Sequence, residues 1–176
     1  EVVGRFFGGS EKTGMGWDGV DYNTAYGING ADRRYNPAGE YTTTAADGSD
    51  SVAYYPNQTD NYAQQHAQLS IRHRLTPQWS LAATAHYTHG AGYYEQYKRK
   101  KLSYWGLPYS HKAYGMYRKQ LDNHFFGAVL TAKYISEPID VQLGAAANHY
   151  MGDHFGTLHY LEDTLILPIN YEYYRN

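Results

Sequence analysis

Between Leu121 and Gly156, apolar and polar side chains alternate with a period of two. Phe126, Ala128, Leu130, Ala132 and Tyr134 fall on one face of an extended strand, with Asn123, Gly127, Thr131 and Lys133 on the other. Past Ser136, Glu137 and Pro138 the alternation resumes, with Ile139, Val141, Leu143, Ala145 and Ala147 opposite Asp140, Gln142, Gly144 and Asn148. Two arms joined this tightly predict a β-hairpin. A second hairpin of the same design runs from Asn61 to His89. Ala67, Leu69, Ile71 and Leu75 share a face interrupted by His73, opposite His66, Gln68, Ser70, Arg72 and Arg74. The chain turns at Thr76, Pro77 and Gln78, then places Trp79, Leu81, Ala83, Ala85 and Tyr87 opposite Ser80, Thr84, His86 and Thr88.

Outside the hairpins the pattern is weaker. Glu1 to Phe7 reads as the end of a strand, with Val2 and Phe6 opposite Arg5. Gly8–Asp60, Gly90–Gln120 and Met151–Ile169 carry no sustained period and read as long loops, and Asn170–Asn176 as the start of another strand. Thr42–Ser51, poor in apolar residues, is expected to be the most mobile part of the first loop.

A soluble sandwich and a membrane barrel both use such hairpins. They differ in what the apolar stripe meets: a second sheet in one, lipid in the other. Two features favour lipid. Trp79 and Tyr87 stand near opposite ends of one apolar stripe, and Tyr134 ends another, as an aromatic girdle would. Both tight turns also fall at one end of the strands and all the long connections at the other, as in outer-membrane barrels with short periplasmic turns. The expected fold is therefore all-β, an antiparallel transmembrane β-barrel segment of five to six strands. The smallest closed barrels have about eight strands, and an open sheet edge in lipid costs several kcal/mol per unpaired group. The remaining strands are expected on another part of the polypeptide or on other chains. In this reading Leu69, Ile71, Trp79, Leu81, Tyr87, Phe126, Leu130, Tyr134, Val141 and Leu143 face lipid, with His149 at the headgroup rim. His66, Gln68, Arg72, His86, Asn123, Lys133, Gln142 and Asn148 face the lumen, and His124 is placed with them. Ser136–Pro138 points to the periplasm and Gly152–Gly156 to the outside.

Composition fits this picture. The 176 residues carry 15 basic and 17 acidic side chains, a balance that gives no drive toward nucleic acid. Mean hydropathy is -0.70 and no apolar run approaches the roughly 18–20 residues of a spanning helix. A spanning strand needs only about 9–11 residues, half of them polar. The absence of cysteine removes disulfides, thiol nucleophiles and thiolate metal sites. No apolar leader begins at Glu1, which is expected of a mature or truncated chain or of one never exported.

Several stretches resemble the barrel domain of TonB-dependent outer-membrane receptors of Gram-negative bacteria. They are Tyr35–Tyr41, Asn57–Tyr62, Gly92–Lys98, Leu121–Asn123 and Asn148 followed by Gly152–Gly156, in the family's order. The resemblance implies a barrel of about 22 strands, plugged by a separate N-terminal domain. Such a receptor imports a scarce ligand, commonly a ferric siderophore, with energy passed on by TonB. This chain would supply about a quarter of such a barrel, without plug, TonB box or signal sequence, and would reside in the outer membrane.

The candidate chemistry is binding. No Gly-x-Ser-x-Gly elbow or paired carboxylates on adjacent strand ends mark a hydrolase, so no catalytic residue is assigned. The nine histidines are dispersed without a His-x-x-x-His helix, so neither a metal site nor a cofactor is assigned. Asn57-Gln58-Thr59 fits a glycosylation sequon, a pattern frequent by chance. The 21 tyrosines carry the strongest case. Tyr93, Tyr94, Tyr97, Tyr104, Trp105 and Tyr109 crowd the second long loop beside Lys98–Lys101, Arg118 and Lys119, with His154 on the third. Aromatic faces next to cations suit a flat anionic ligand such as a ferric catecholate or hydroxamate. The same tyrosines could instead pack loops on one another, and the basic run could meet lipopolysaccharide. Haem, cobalamin, peptide and oligosaccharide are not separated by these residues. A structural or adhesive surface protein whose tyrosines bind a partner or glycan is the alternative, with a passive porin third.

Overall fold

The computed structural model describes residues 1–165, 167–168 and 170–176. The fold is all-β and antiparallel, with strands β1 (Val2–Gly14), β2 (Glu40–Thr44), β3 (Asp50–Tyr54), β4 (Thr59–Arg74), β5 (Trp79–Lys101), β6 (Lys112–Ser136), β7 (Ile139–Leu161) and β8 (Tyr171–Arg175). One short helix, α1 (Tyr22–Tyr26), is capped by the Asp21 carboxylate on the Thr24 amide and ends at Gly27 in the left-handed conformation. A six-stranded sheet has the order β1-β4-β5-β6-β7-β8, and β2 pairs with β3 in a separate hairpin. Every neighbour in the large sheet is thus the next large strand in sequence, a meander.

Both tight hairpins form where the alternation places them. At the β4–β5 turn the Thr76 hydroxyl accepts from the amides of Gln78 and Trp79 at 3.2 and 3.0 Å, holding the chain through Pro77. The β6–β7 turn contains only Glu137 and Pro138.

The long loops are shorter than their sequence suggests. β5 runs on to Lys101, β6 starts at Lys112 and β7 continues to Leu161. Much of Gly90–Gln120 and Met151–Ile169 is therefore strand, and Thr42–Ser51 lies largely in the β2–β3 hairpin; Ile166 and Ile169 fall outside the described residues. At 23 residues, β5 and β7 are each about 75 Å long at strand rise, roughly twice the 9–11 residues that cross a bilayer core. The extensions lack an apolar alternation because polar side chains are buried on both faces of β5, Glu95 on one and Gln96 on the other, each with hydrogen-bond partners.

The chain divides into two compact units. Unit 1 comprises Glu1–Ser10, Tyr62–Gly92 and Leu121–Asp153, and unit 2 comprises Glu11–Asn61, Tyr93–Gln120 and His154–Asn176. Unit 2 has a core. Trp105, Tyr117 and Leu158 form one buried cluster, and Leu102, Leu107 and Ala113 another. The Trp105 indole lies so close over Gly115 that a Cβ there would sit 2.7 Å from its ring, so this strand position must be glycine for the ring to lie flat.

Unit 1 has no such core: among the described residues, every buried hydrophobic side chain belongs to unit 2. Unit 1 instead presents two unlike faces. Ile71, Leu81, Leu130 and Leu143 from β4, β5, β6 and β7 line one shallow groove with Ala83, Ala132 and Ala145. Their exposures run from 40% for Leu81 to 67% for Leu143, and Leu69, Val141 and Phe126 are exposed as well. At the turn end Trp79 packs against Tyr134, ring centroids 5.0 Å apart, and further along Phe126 meets His149 at 5.4 Å.

The opposite face carries cross-strand polar pairs. His66 Nδ1 lies 2.9 Å from the Thr88 hydroxyl, and Ser70 and Thr84 hydroxyls are 3.0 Å apart. Tyr150 donates to Asn123 at 2.8 Å, and Lys133 pairs with Asp140 at 3.4 Å. Arg72, exposed, joins Glu1 at 3.5 Å. Gln68 is half-buried and Gln142 exposed. His86 Nε2 reaches Asn148 Oδ1 at 3.0 Å, although β6 runs between their strands. Gly127 permits this bridge, because a Cβ there would collide with the Asn148 side chain and the Ala147 carbonyl.

One assignment to a face needs correction. His124 is not on this polar face: it contacts Tyr87 and stacks on His89, on the parity of Phe126. The alternation of β6 itself places it there, since 124 and 126 differ by two. The polar face is also not purely polar, because Phe7 stacks on His66 at 4.7 Å and Phe125 lies 5.2 Å from His86.

Candidate ligand-binding surface

Once Tyr93–Lys101 is strand, its side chains sort by parity. Tyr93, Glu95, Tyr97 and Arg99 share one face and Tyr94, Gln96, Lys98 and Lys100 the other. The first set is anchored on Glu95, whose side chain is almost wholly buried and accepts from the Tyr55 hydroxyl, from Asn57 Nδ2 at 2.6 Å and from Arg118 Nε at 2.7 Å. Burial pushes the Glu95 carboxyl up, but the hydrogen bonds from Tyr55, Arg118 and Asn57 outweigh it and hold the group below its ordinary range. Burial and the Glu95 carboxylate together raise the Tyr55 hydroxyl well above its ordinary value, so Tyr55 stays a donor. Arg118 also lies 4.1 Å from the Tyr93 ring centroid, a cation–π contact. Burial and the repulsion of Arg118 lower the nearby His159 imidazole, keeping it neutral at pH 7. Its Nε2 lies 2.8 Å from Thr157, which accepts from Gln120 at 2.7 Å.

Next along the same β5 face stands Tyr97, the hub of a tyrosine cluster. It stacks on Tyr114 at 5.2 Å and 15°, meets Tyr41 edge-on at 5.0 Å, and has Tyr55 5.5 Å away. Tyr160 lies at 6.4 Å. Burial, then the Glu162 carboxylate and neighbouring hydroxyls, push the Tyr97 phenol up to about 12. Tyr41, Tyr97 and Tyr114 form one wall of an open cleft of about 730 Å³. Thr42, Thr43, Thr44 and Asp50 of the β2–β3 hairpin form another, and Arg99, Lys112 and Glu162 supply charge at the rim. The Tyr114 hydroxyl accepts from the Thr42 amide at 3.2 Å, which seats the hairpin beside the cluster. Such a cleft offers aromatic faces for a flat group, hydroxyl and amide partners for polar atoms, and charges of both signs, Arg99 and Lys112 against Asp50 and Glu162.

Of the residues expected to touch ligand, Tyr97 and, from the basic run, Arg99 line this cleft. Trp105 is fully buried and cannot do so; it is the centre of the unit 2 core. Arg118 is committed to Glu95 and Tyr93. Lys119 lies 5.9 Å over Tyr94, which meets Trp17 edge-on at 5.1 Å, and Lys98 pairs with Asp18 at 3.1 Å. Tyr104 packs at the core margin against Trp105 and Tyr117 with Lys100 over it, and Tyr109, exposed, sits beside His111. The His154 backbone pairs with Asn176. Packing on one another, on Trp17 and Trp105, on His111 or under a cation thus occupies these tyrosines. The cleft residues not anticipated, Tyr41, Lys112 and Tyr114, become visible once β5 and β6 are extended and their parity is followed. Tyr41 also needs the placement of the hairpin.

No protein-family model, curated protein or solved structure matches the chain.

Proposed function

We propose that this chain is part of an outer-membrane β-barrel receptor, similar to the TonB-dependent kind, that captures a scarce extracellular ligand for import. The observation that carries this reading is the apolar face of unit 1. Four adjacent strands place their large aliphatic side chains together, exposed, with no core anywhere in the unit to bury them. A contiguous patch of this kind requires a non-aqueous neighbour. The aromatic pair Trp79–Tyr134 at the turn end, and Tyr87 with two histidines at the other, are the polar-tipped rings that suit the two interfaces of a bilayer. The polar second face suits a water-filled or plugged lumen. Further strands then complete the barrel at the β1 and β8 edges, and coupling to TonB passes through a plug outside this chain.

Unit 2 carries the ligand cleft in this reading. Its tyrosine wall suits a planar complex, and Arg99 and Lys112, set against Asp50 and Glu162 in the same lining, offer cations to its anionic groups, a ferric catecholate or hydroxamate being the most economical match. Titrating the full-length protein in detergent with such complexes tests it. Binding that the double change R99E/K112E weakens at least about tenfold supports the reading. Absence of binding by every such complex, or recovery of the native protein in the soluble fraction, contradicts it.

A further inference from the structure

At the far end of the unit 1 apolar face, three metal-ligating side chains converge on two paired strands. Asp122 and His124 are two residues apart on β6 and therefore project from the same face, and His89 projects beside them from β5. His89 Nε2 lies 2.7 Å from Asp122 Oδ1, and His124 Nε2 lies 3.6 Å from the same oxygen. The second distance is too long for a hydrogen bond and close to the roughly 3.3 Å that separates two ligands of one tetrahedral ion bound at about 2.0–2.1 Å. The imidazole rings are stacked, centroids 4.8 Å apart and 20° from parallel, so both Nε2 atoms turn toward the carboxylate.

A fourth residue completes the arrangement. The Tyr87 hydroxyl is 2.7 Å from His124 Nδ1. With that hydroxyl accepting from Nδ1–H, the lone pair of His124 is on Nε2, facing Asp122. Outer hydrogen bonds of this kind fix the tautomer of metal-ligating histidines. The three donor side chains are between a third and a half exposed, so an ion reaches them from outside.

We propose that His89, Asp122 and His124 form a binding site for a divalent first-row transition metal, with a coordination position left open to water or an external ligand. Two imidazoles and one carboxylate suit zinc, copper, nickel or ferrous iron and disfavour magnesium and calcium, which take oxygen ligands. The site stands on side-chain geometry within unit 1 and does not depend on the membrane reading.

Zinc titration of the full-length protein against a chromophoric chelator tests it, with cobalt(II) absorption as the spectroscopic readout. Wild type should bind one more equivalent of zinc than His89→Ala or His124→Ala, and cobalt should give d–d bands that those variants lose. Tyr87→Phe should keep the stoichiometry and weaken zinc about tenfold to hundredfold. His111→Ala, in a His–Asp pair elsewhere, should change nothing. Equal zinc stoichiometry and affinity in wild type, His89→Ala and His124→Ala would overturn the proposal, as would cobalt bands unaffected by either change.

Discussion

The two units are built from the same strands and solve opposite problems. In unit 2 the strands bury Trp105, Tyr117, Leu102 and Leu158, and they also bury Glu95 and Gln96 with their hydrogen bonds satisfied. In unit 1 the same four long strands bury no hydrophobic side chain, yet one face is mostly Leu, Ile, Val, Ala and aromatic, broken by His73 and ending at His89, Asp122 and His124. Polar-rich sequence thus marks the part that makes its own core, and the cleaner apolar alternation marks the part that leaves its apolar side for something else to cover. The difference teaches that a period of two reports two unlike faces and does not report which of them is inside.

The largest effect is expected where unit 2 is packed most tightly. Trp105→Ala should cost about 3–5 kcal/mol, the usual range for deleting a buried aromatic. Hydrogen exchange should show the loss across unit 2 amides while those of Leu121–Asp153 keep their protection. Equal loss in both units would merge them into one cooperative body.

Leu130→Arg, midway between Phe126 and Tyr134 on the exposed apolar face, probes unit 1 in the same way. In a bilayer, an arginine on the lipid face near the midplane costs about 2–4 kcal/mol, measured by reversible folding into vesicles. On a water-facing surface the same change is worth about 0.5 kcal/mol or less. A small value would remove the contrast between the units.

Acid should act on unit 2 through Glu95. Its carboxyl is held below the ordinary value, so its contribution is fully present above the unfolded carboxyl range, about 4.3, and is lost as pH falls through the folded value. Neutral-pH stability should therefore decline on acidification below about pH 4, and Glu95→Gln should flatten that decline while costing about 1–3 kcal/mol at pH 7. A chemical denaturation series across pH reads both. The smallest effect belongs to the polar face of unit 1, where Ser70→Ala removes one cross-strand pair and should cost about 1 kcal/mol or less.

Much of unit 1 was legible in the sequence because its register is written in side chains. Leu69, Ile71, Leu81, Leu130 and Leu143 share a parity within each strand, and both tight turns carry proline. His124 follows the same rule and was misplaced only by treating it as another polar lining residue. Unit 2 was less legible, because tyrosine, glycine and charge dominate it. Tyrosine is a good strand former whose ring and hydroxyl serve either face, so alternation vanishes while the strand persists. Glu95 buried beside Tyr55, Asn57 and Arg118 cannot be read from spacing, since its partners come from distant segments. The same holds for Trp105, which resembles an exposed loop aromatic until Gly115 is seen beneath it.

The account rests on what covers the apolar face of unit 1, and the absence of native cysteine in the chain makes that directly measurable. Single cysteines along Trp79–Tyr87 and Phe126–Tyr134, spin-labelled in the full-length protein in lipid vesicles, report collisions with lipid-soluble oxygen and with a water-soluble nickel chelate. Oxygen access should peak at Leu81, Ala83, Ala128 and Leu130 and fall at Ala82, Thr84, Gly127 and Val129, with nickel access in the opposite phase. An alternation absent from both reagents, or nickel access highest at Leu81 and Leu130, would contradict a lipid-facing sheet.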